Sequence, residues 1–296
     1  MKRQKIHHNL FLAILLLVAA TGSVFALDPE PSPAGGGAFE VTKRGGHVFV
    51  EDHDDFDANL FNEARFEATL EMWIYLKRAP EFGESWVLFH KERSYMMTLN
   101  GHWNDFGRLV PLGPQIVALC FYHRWEQENG AAAGGGASTL KLPLNQWYHL
   151  VFMFSKNGYT FYLNGKRLSR GNFGPQRISN LNFPLYIGGT GIFDTVFLED
   201  VKEGKGRPFT GGLIDEVRVS DIVRYPNAEF IAVPTDRFNP DANTLALWHF
   251  DGGRANWLKD ASGNGHTLTA VKSAYLHVES RGKLPTLWGQ IKSDFQ

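Results

Sequence analysis

The chain has 296 residues, a formal net charge of -1 and 43% hydrophobic content, which suits one large β domain with extensions or at most two small domains. That near-neutral balance excludes a general electrostatic pull toward nucleic acid or an anionic membrane surface. With 31 glycines and 14% aromatic residues, the composition supplies turns and core and is too apolar for a disordered chain.

Residues 1–26 read as an export signal. Lys2, Arg3 and Lys5 form a positive start, an apolar run covers residues 10–20, and Val24 and Ala26 are small residues at the cleavage positions. The run is short for a bilayer span of about 20 residues, so cleavage after Ala26 is expected. No later stretch is long and apolar enough to cross a membrane. The mature protein is therefore expected to be secreted or extracytoplasmic, with no transmembrane segment once the signal is removed. Cys120 is the single cysteine, so no intrachain disulfide can staple the fold even in an oxidising compartment. Its apolar neighbours mark it as a buried structural thiol.

Residues 27–38 are rich in Pro and Gly and read as a leader. Strand signals then follow at residues 47–50, 69–76, 86–90, 95–99, 115–122, 148–155, 159–163, 185–188, 212–219 and 244–250. Each is a short run of β-branched or aromatic residues bounded by Gly, Pro, Asn or Asp. The oxygen-rich cluster Glu51, Asp52, Asp54, Asp55 and Asp57 reads most simply as a solvated loop after an edge strand, with a metal site as the alternative. Asn157-Gly158 and Asn164-Gly165 sit at strand ends, where Asn-Gly favours the positive φ of tight hairpins. In the strand 148–154 both alternating faces are largely apolar, which places it inside a layered structure. Residues 126–139, with the Ala/Gly tract 131–137, read as a mobile loop, and residues 193–208 and 221–242 as further long loops, the last with one helical turn. The tail 276–296 has no strong period; it either packs back on the domain or serves as a recognition element. The fold class that follows is all-β, with two packed antiparallel sheets.

Five motifs then occur in order: Thr69-Leu-Glu-Met-Trp-Ile74, Leu144-Asn-Gln-Trp-Tyr-His149, Phe161-Tyr-Leu-Asn-Gly-Lys166, Tyr186-Ile-Gly-Gly189 and Phe209-Thr-Gly-Gly-Leu-Ile-Asp-Glu-Val-Arg218. Leu245-Ala-Leu-Trp-His-Phe250 with Asp260-Ala-Ser-Gly-Asn-Gly-His266 extends the series. The succession resembles the laminin-G-like members of the concanavalin A-like lectin/glucanase superfamily found in bacterial secreted proteins. The resemblance covers about residues 39–274 and implies a jelly-roll sandwich over residues 39–275. It also implies a role in recognising carbohydrate or protein.

Candidate sites follow from the residues. Asp215 falls in the alternating set Leu213, Asp215, Val217 and Val219, which puts a carboxylate on an otherwise apolar face and Glu216 on the opposite one. A buried carboxylate needs a partner: either an Arg or backbone N–H groups, or a calcium ion. The turn Asp260, Ser262 and Asn264 offers oxygen side chains at alternate positions. It reads either as part of a calcium site completed from elsewhere, with Asp215, or as an Asx-type turn that satisfies its own backbone. Trp103, Tyr122 and Trp125 lie near expected loops, where they either pack beneath a loop or contact a glycan, with Asn104, Asp105 and Arg124 as polar companions. Trp73, Trp147 and Trp248 fall within strands and are assigned to the core. The histidines show no two-His metal spacing. No strand carries the Glu-x-Asp-x-Glu pattern of sandwich glucanases, and no nucleophile elbow or phosphate loop is present. The expectation is a non-catalytic module binding a glycan or an extracellular protein, with calcium as the candidate cofactor. A purely structural or adhesive role and a divergent glycoside hydrolase or lyase are the rival readings.

Overall fold

The computed structural model describes residues 29–42, 46–57, 67–92, 94–105, 108–127, 130–155, 158–171, 182–191, 207–251, 253, 255–271 and 274–278, without the side chains of 103–105, 108–109, 123–127, 130–134 and 275–278. The expected signal (1–26), most of the loop 193–208 and the tail beyond Val278 lie outside the described residues. Among those described there are seventeen strands and no helix, so none is long and apolar enough to cross a membrane.

Two antiparallel sheets form a jelly-roll sandwich. The first runs β12 (Lys166–Gly171), β11 (Gly158–Leu163), β10 (Trp147–Ser155), β3 (Glu67–Leu76), β14 (Gly212–Ser220), β1 (Gly37–Val41) and β17 (Ala274–Val278). A further strand, β15 (Thr244–Trp248), shares the second edge of β14 with β1. The second sheet runs β16 (Thr269–Val271), β2 (His47–Val50), β13 (Leu185–Ile187), β4 (Ser85–Lys91), β5 (Tyr95–Asn100), β8 (Ile116–Gln127) and β9 (Gly130–Lys141). The hairpin β6 (His102–Asp105) and β7 (Arg108–Pro111) stands apart between β5 and β8.

The core follows from alternation. Leu70, Met72, Ile74 and Leu76 of β3 and Tyr148, Leu150, Phe152 and Phe154 of β10 face Phe89, Met97, Leu99, Leu119 and Phe121 of the second sheet. Phe152 lies 4.1 Å from Phe121 and 5.1 Å from Phe161, ring centre to ring centre. The other face of β10 is covered as well: Val151 and Met153 pack with Tyr162 beneath Val223, Tyr225 and Ile231. Segment 221–242 thus lies as a third layer over the first sheet, as irregular chain where one helical turn was expected. The β11–β12 turn holds Asn164 and Gly165 at φ of 45° and 79°, both left-handed, as an Asn-Gly hairpin requires.

Several local expectations are corrected. The Ala/Gly tract is the edge strand β9, paired with β8 along its whole length. Its small residues are dictated by neighbours: a Cβ on Gly136 would stand 1.7 Å from the Tyr159 hydroxyl of the facing sheet. Strand β2 is no edge, since β16 and β13 pair on either side of it. Glu51 and Asp54 after it are exposed as expected, whereas Asp52 and Asp57 are structural. Lys91, fully buried, places its ammonium 2.7 Å from Asp52, 2.8 Å from Asp57 and 2.8 Å from the Phe183 carbonyl. The stretch read as a leader packs against the first sheet: Ser32 and Ala34 are buried, and the Trp147 indole N–H donates to the Glu30 carbonyl at 2.7 Å. Cys120 is buried, and burial pushes its thiol up to about 11.

Candidate cation site and adjoining cleft

The site begins with a bulge in β14. Between the pairs Asp215–Trp73 and Arg218–Glu71, two residues of β14 oppose the single Met72 of β3, and Glu216 takes a φ of 48°. The extra residue shifts the phase of the strand. Val217 and Val219 therefore enter the core, whereas Asp215 and Glu216 both lie on the outer face beneath the third layer. This corrects the strict alternation that grouped Asp215 with the two valines and set Glu216 opposite.

Asp215 is fully buried. Its Oδ1 accepts the Glu216 N–H at 2.7 Å, and its Oδ2 has no hydrogen-bond partner. Burial pushes its carboxyl well above the usual range; a hydrogen bond from Ser32 opposes this, and the charges of Glu216 and Asp251 add to it. Asp251, just past β15, accepts the Gly37 N–H at 2.5 Å and pairs with Arg237 at 2.5 Å. A Cβ on Gly36 would come within 1.9 Å of the Asp251 carboxylate, so glycine lets the backbone of the opening segment pass over it. Glu216 is committed elsewhere: one oxygen accepts the Phe238 N–H at 3.0 Å and the other meets His249 Nδ1 at 2.7 Å.

Calcium takes several oxygen ligands in an adaptable geometry. Asp215 and Asp251 fit that need, because one is a buried carboxylate with an orphaned oxygen and the other lies close enough to raise its pKa. The turn at Asp260 is arranged differently. Asp260 accepts four hydrogen bonds, from the N–H groups of Leu247 at 3.0 Å, Ser262 at 2.8 Å and His266 at 3.0 Å and from the Ser262 hydroxyl at 2.7 Å. Ser262 also bonds the Leu245 carbonyl and the Asn264 N–H, and the Asn264 amide donates to the Thr244 and Leu245 carbonyls. These bonds close the turn and tie it to β15, and the neighbours of Asp215 are Ser32, Glu216 and Asp251.

Asp251 also opens onto a cleft lined by His249, Asn256, Lys259 and the chain from Asp260 to Gly263. Asn256 and Lys259 are exposed and His249 is half-buried, so donors and acceptors are both presented. A second polar cluster on the same face is closed. Glu71 accepts from Arg218 Nε at 2.7 Å and from the Tyr225 hydroxyl at 2.6 Å, and Arg224 grips Asp241 through two bonds of 2.8 Å. This network fastens the third layer to the sheet.

The residues expected at a glycan site are dispersed. Trp103, Asn104 and Asp105 lie on β6, not in a loop, and Tyr122, Arg124 and Trp125 lie within β8. The β6–β7 hairpin leaves β5 and enters β8 at its Ile116 end, whereas Tyr122 to Trp125 occupy the far half of β8. Of these only Tyr122 has a described side chain; burial pushes its hydroxyl pKa upward. Sequence reasoning missed Glu216, His249 and Asp251 as a group. The only signal was their place beside two quoted motifs, since the bulge and the Gly36 crossing bring them together.

Residues 45–232 match the family profile described as the concanavalin A-like lectin/glucanases superfamily. No curated protein matches the chain. A Bacteroides ovatus structure, described provisionally as a carbohydrate binding protein, aligns with a TM-score of 0.55 at 18% identity, over 83% of this chain and 60% of that one. The chain thus spans less than two thirds of that protein's length. A heptameric pentraxin of Limulus polyphemus aligns with a TM-score of 0.45 at 11% identity, over 84% of this chain and 98% of the other. At such identities the likeness is one of fold.

Proposed function

The chain belongs to the concanavalin A-like lectin/glucanase superfamily, and on that premise we propose that it is an exported carbohydrate-binding module without catalytic activity. The observation that carries this reading is the polar cleft of His249, Asp251, Asn256 and Lys259, whose half-buried Asp251 neighbours the buried Asp215. Sugar hydroxyls are donors and acceptors at once, and the cleft offers both kinds of partner within an open, shallow site. Calcium held by Asp215 and Asp251 would supply a fixed positive charge at the cleft floor. The role provisionally given to the Bacteroides ovatus protein agrees with this reading.

The commitments of the buried acids favour binding over hydrolysis. Glycoside hydrolysis calls for two carboxyl groups placed to act on one bond. Glu71 is enclosed by Arg218 and Tyr225, Glu216 by His249 and the Phe238 amide, and Asp260 by its four donors. In the cleft Asp251 is itself engaged by Arg237 and the Gly37 amide, and its neighbour Asp215 is fully buried, out of reach of a bound glycan.

A glycan array with calcium and with chelator tests the reading, using wild type and the double variant Asn256→Ala, Lys259→Ala. Binding to a defined subset of glycans, weakened at least tenfold in the variant, is expected. Undiminished binding by the variant would remove the cleft from the function, and binding to no glycan would contradict the reading as a whole.

A further inference from the structure

A second cluster lies on the other side of the Asp260 turn. His53, Asp55 and His266 bring one ligand atom each within 4.8 Å of one another. His266 Nε2 is 2.7 Å from Asp55 Oδ2, and His53 Nδ1 is 3.3 Å from the same oxygen. The Asp55 N–H donates to His53 Nδ1 at 3.2 Å, so this nitrogen presents a lone pair. That lone pair serves the long 3.2 Å bond from the Asp55 amide, and a cation held by the Asp55 carboxylate 3.3 Å away offers it a stronger partner.

The geometry points to a divalent transition-metal site, of the zinc class, formed by His53, Asp55 and His266. Two imidazoles and one carboxylate suit zinc, whereas calcium takes oxygen ligands. Tetrahedral zinc with bonds of about 2.0–2.1 Å sets its ligand atoms roughly 3.3 Å apart. The observed separations of 2.7 Å and 3.3 Å, with none above 4.8 Å, bracket that value. Only a small closure is needed, and His53 can make it because its side chain is 53% exposed. The exposed side leaves a fourth position for water or an outside ligand.

The frame around these residues is firm. His53 and Asp55 ride on the loop that buried Lys91 grips through Asp52 and Asp57, and the Tyr95 hydroxyl donates to the Phe56 carbonyl at 3.0 Å. His266 is held by its N–H on Asp260 at 3.0 Å and by the Trp248 indole on its carbonyl at 2.7 Å. The Phe56 ring packs against it at 4.7 Å. The metal would join the loop after β2 to the turn after β15, more than 200 residues apart in sequence, and displace the proton between His266 and Asp55. This assignment is independent of the cleft and of calcium.

The test is calorimetric titration of the protein with zinc chloride, alongside thermal melts with zinc and with chelator. One zinc per chain is expected, with a rise of several degrees in melting temperature at saturating metal. His53→Ala and Asp55→Asn, both outside the core, should melt as wild type does in chelator and lose the zinc-dependent rise. Retention of the calcium response in His53→Ala would keep the two metal sites distinct. Absence of zinc binding by wild type, or an undiminished zinc response in both variants, would overturn the assignment.

Discussion

Asp215 lies in the fold with one oxygen on the Glu216 amide and the other without a hydrogen-bond partner. Its folded pKa is raised above the unfolded value, mainly by burial, so the folded state holds the proton more tightly than the unfolded chain does. Its contribution is fully present below the ordinary carboxylate range and is lost as pH rises through the raised value. In chelator, Asp215→Asn should therefore flatten the fall in stability between about pH 4 and neutrality. At pH 7 it should stabilise by about 1 kcal/mol or more, because the amide carries no charge to desolvate. Urea unfolding of both proteins at three pH values in chelator checks this, and added calcium should stabilise wild type alone. The sequence made Asp215 visible as an acid among apolar residues. It hid which face the side chain takes, because one extra residue in β14 reverses the parity of everything before it.

The outer face of the first sheet shows how an element acquires its cover. Segment 221–242 has few apolar anchors, and Glu71 joins it to the sheet through Tyr225, while Arg218 of β14 supplies the balancing charge. Removing one partner of such a buried pair strands the other, which costs about 3–5 kcal/mol. Glu71→Ala should lower the urea midpoint accordingly, with early loss of protection in amide exchange across residues 221–240. Elements of this kind were legible only in part. The strands rich in aromatic and β-branched residues declared themselves, and so did the Asn164-Gly165 turn. Strand β9 did not, because its glycines and alanines carry no strand signal of their own and are fixed by Tyr159 and β8. Strand β1 was masked in the same way by the Pro/Gly content around it.

At the scale of the molecule, the described residues form one sandwich whose first and last strands meet. Strand β1 pairs with β17, the segment before β1 crosses Asp251, and the turn at Asp260 lies between the cleft and the His53–Asp55–His266 cluster. The ordered motifs exposed this architecture, since each short motif marks a strand of known order. They could not expose the cleft, which is assembled from the chain just past β15 and the turn at Asp260, whose sequences are ordinary in isolation. The acidic cluster shows the same limit: its charges looked solvated until Lys91 was found beneath Asp52 and Asp57.

The central claim is that this sandwich binds carbohydrate and leaves it intact. Affinity electrophoresis of the purified protein through gels containing a panel of soluble polysaccharides tests it most directly, with reducing ends measured in matched solutions. Retardation by at least one polysaccharide, without release of reducing ends over a day, is the expected result. Unretarded migration in every gel, or a steady rise in reducing ends that tracks protein concentration, would contradict it.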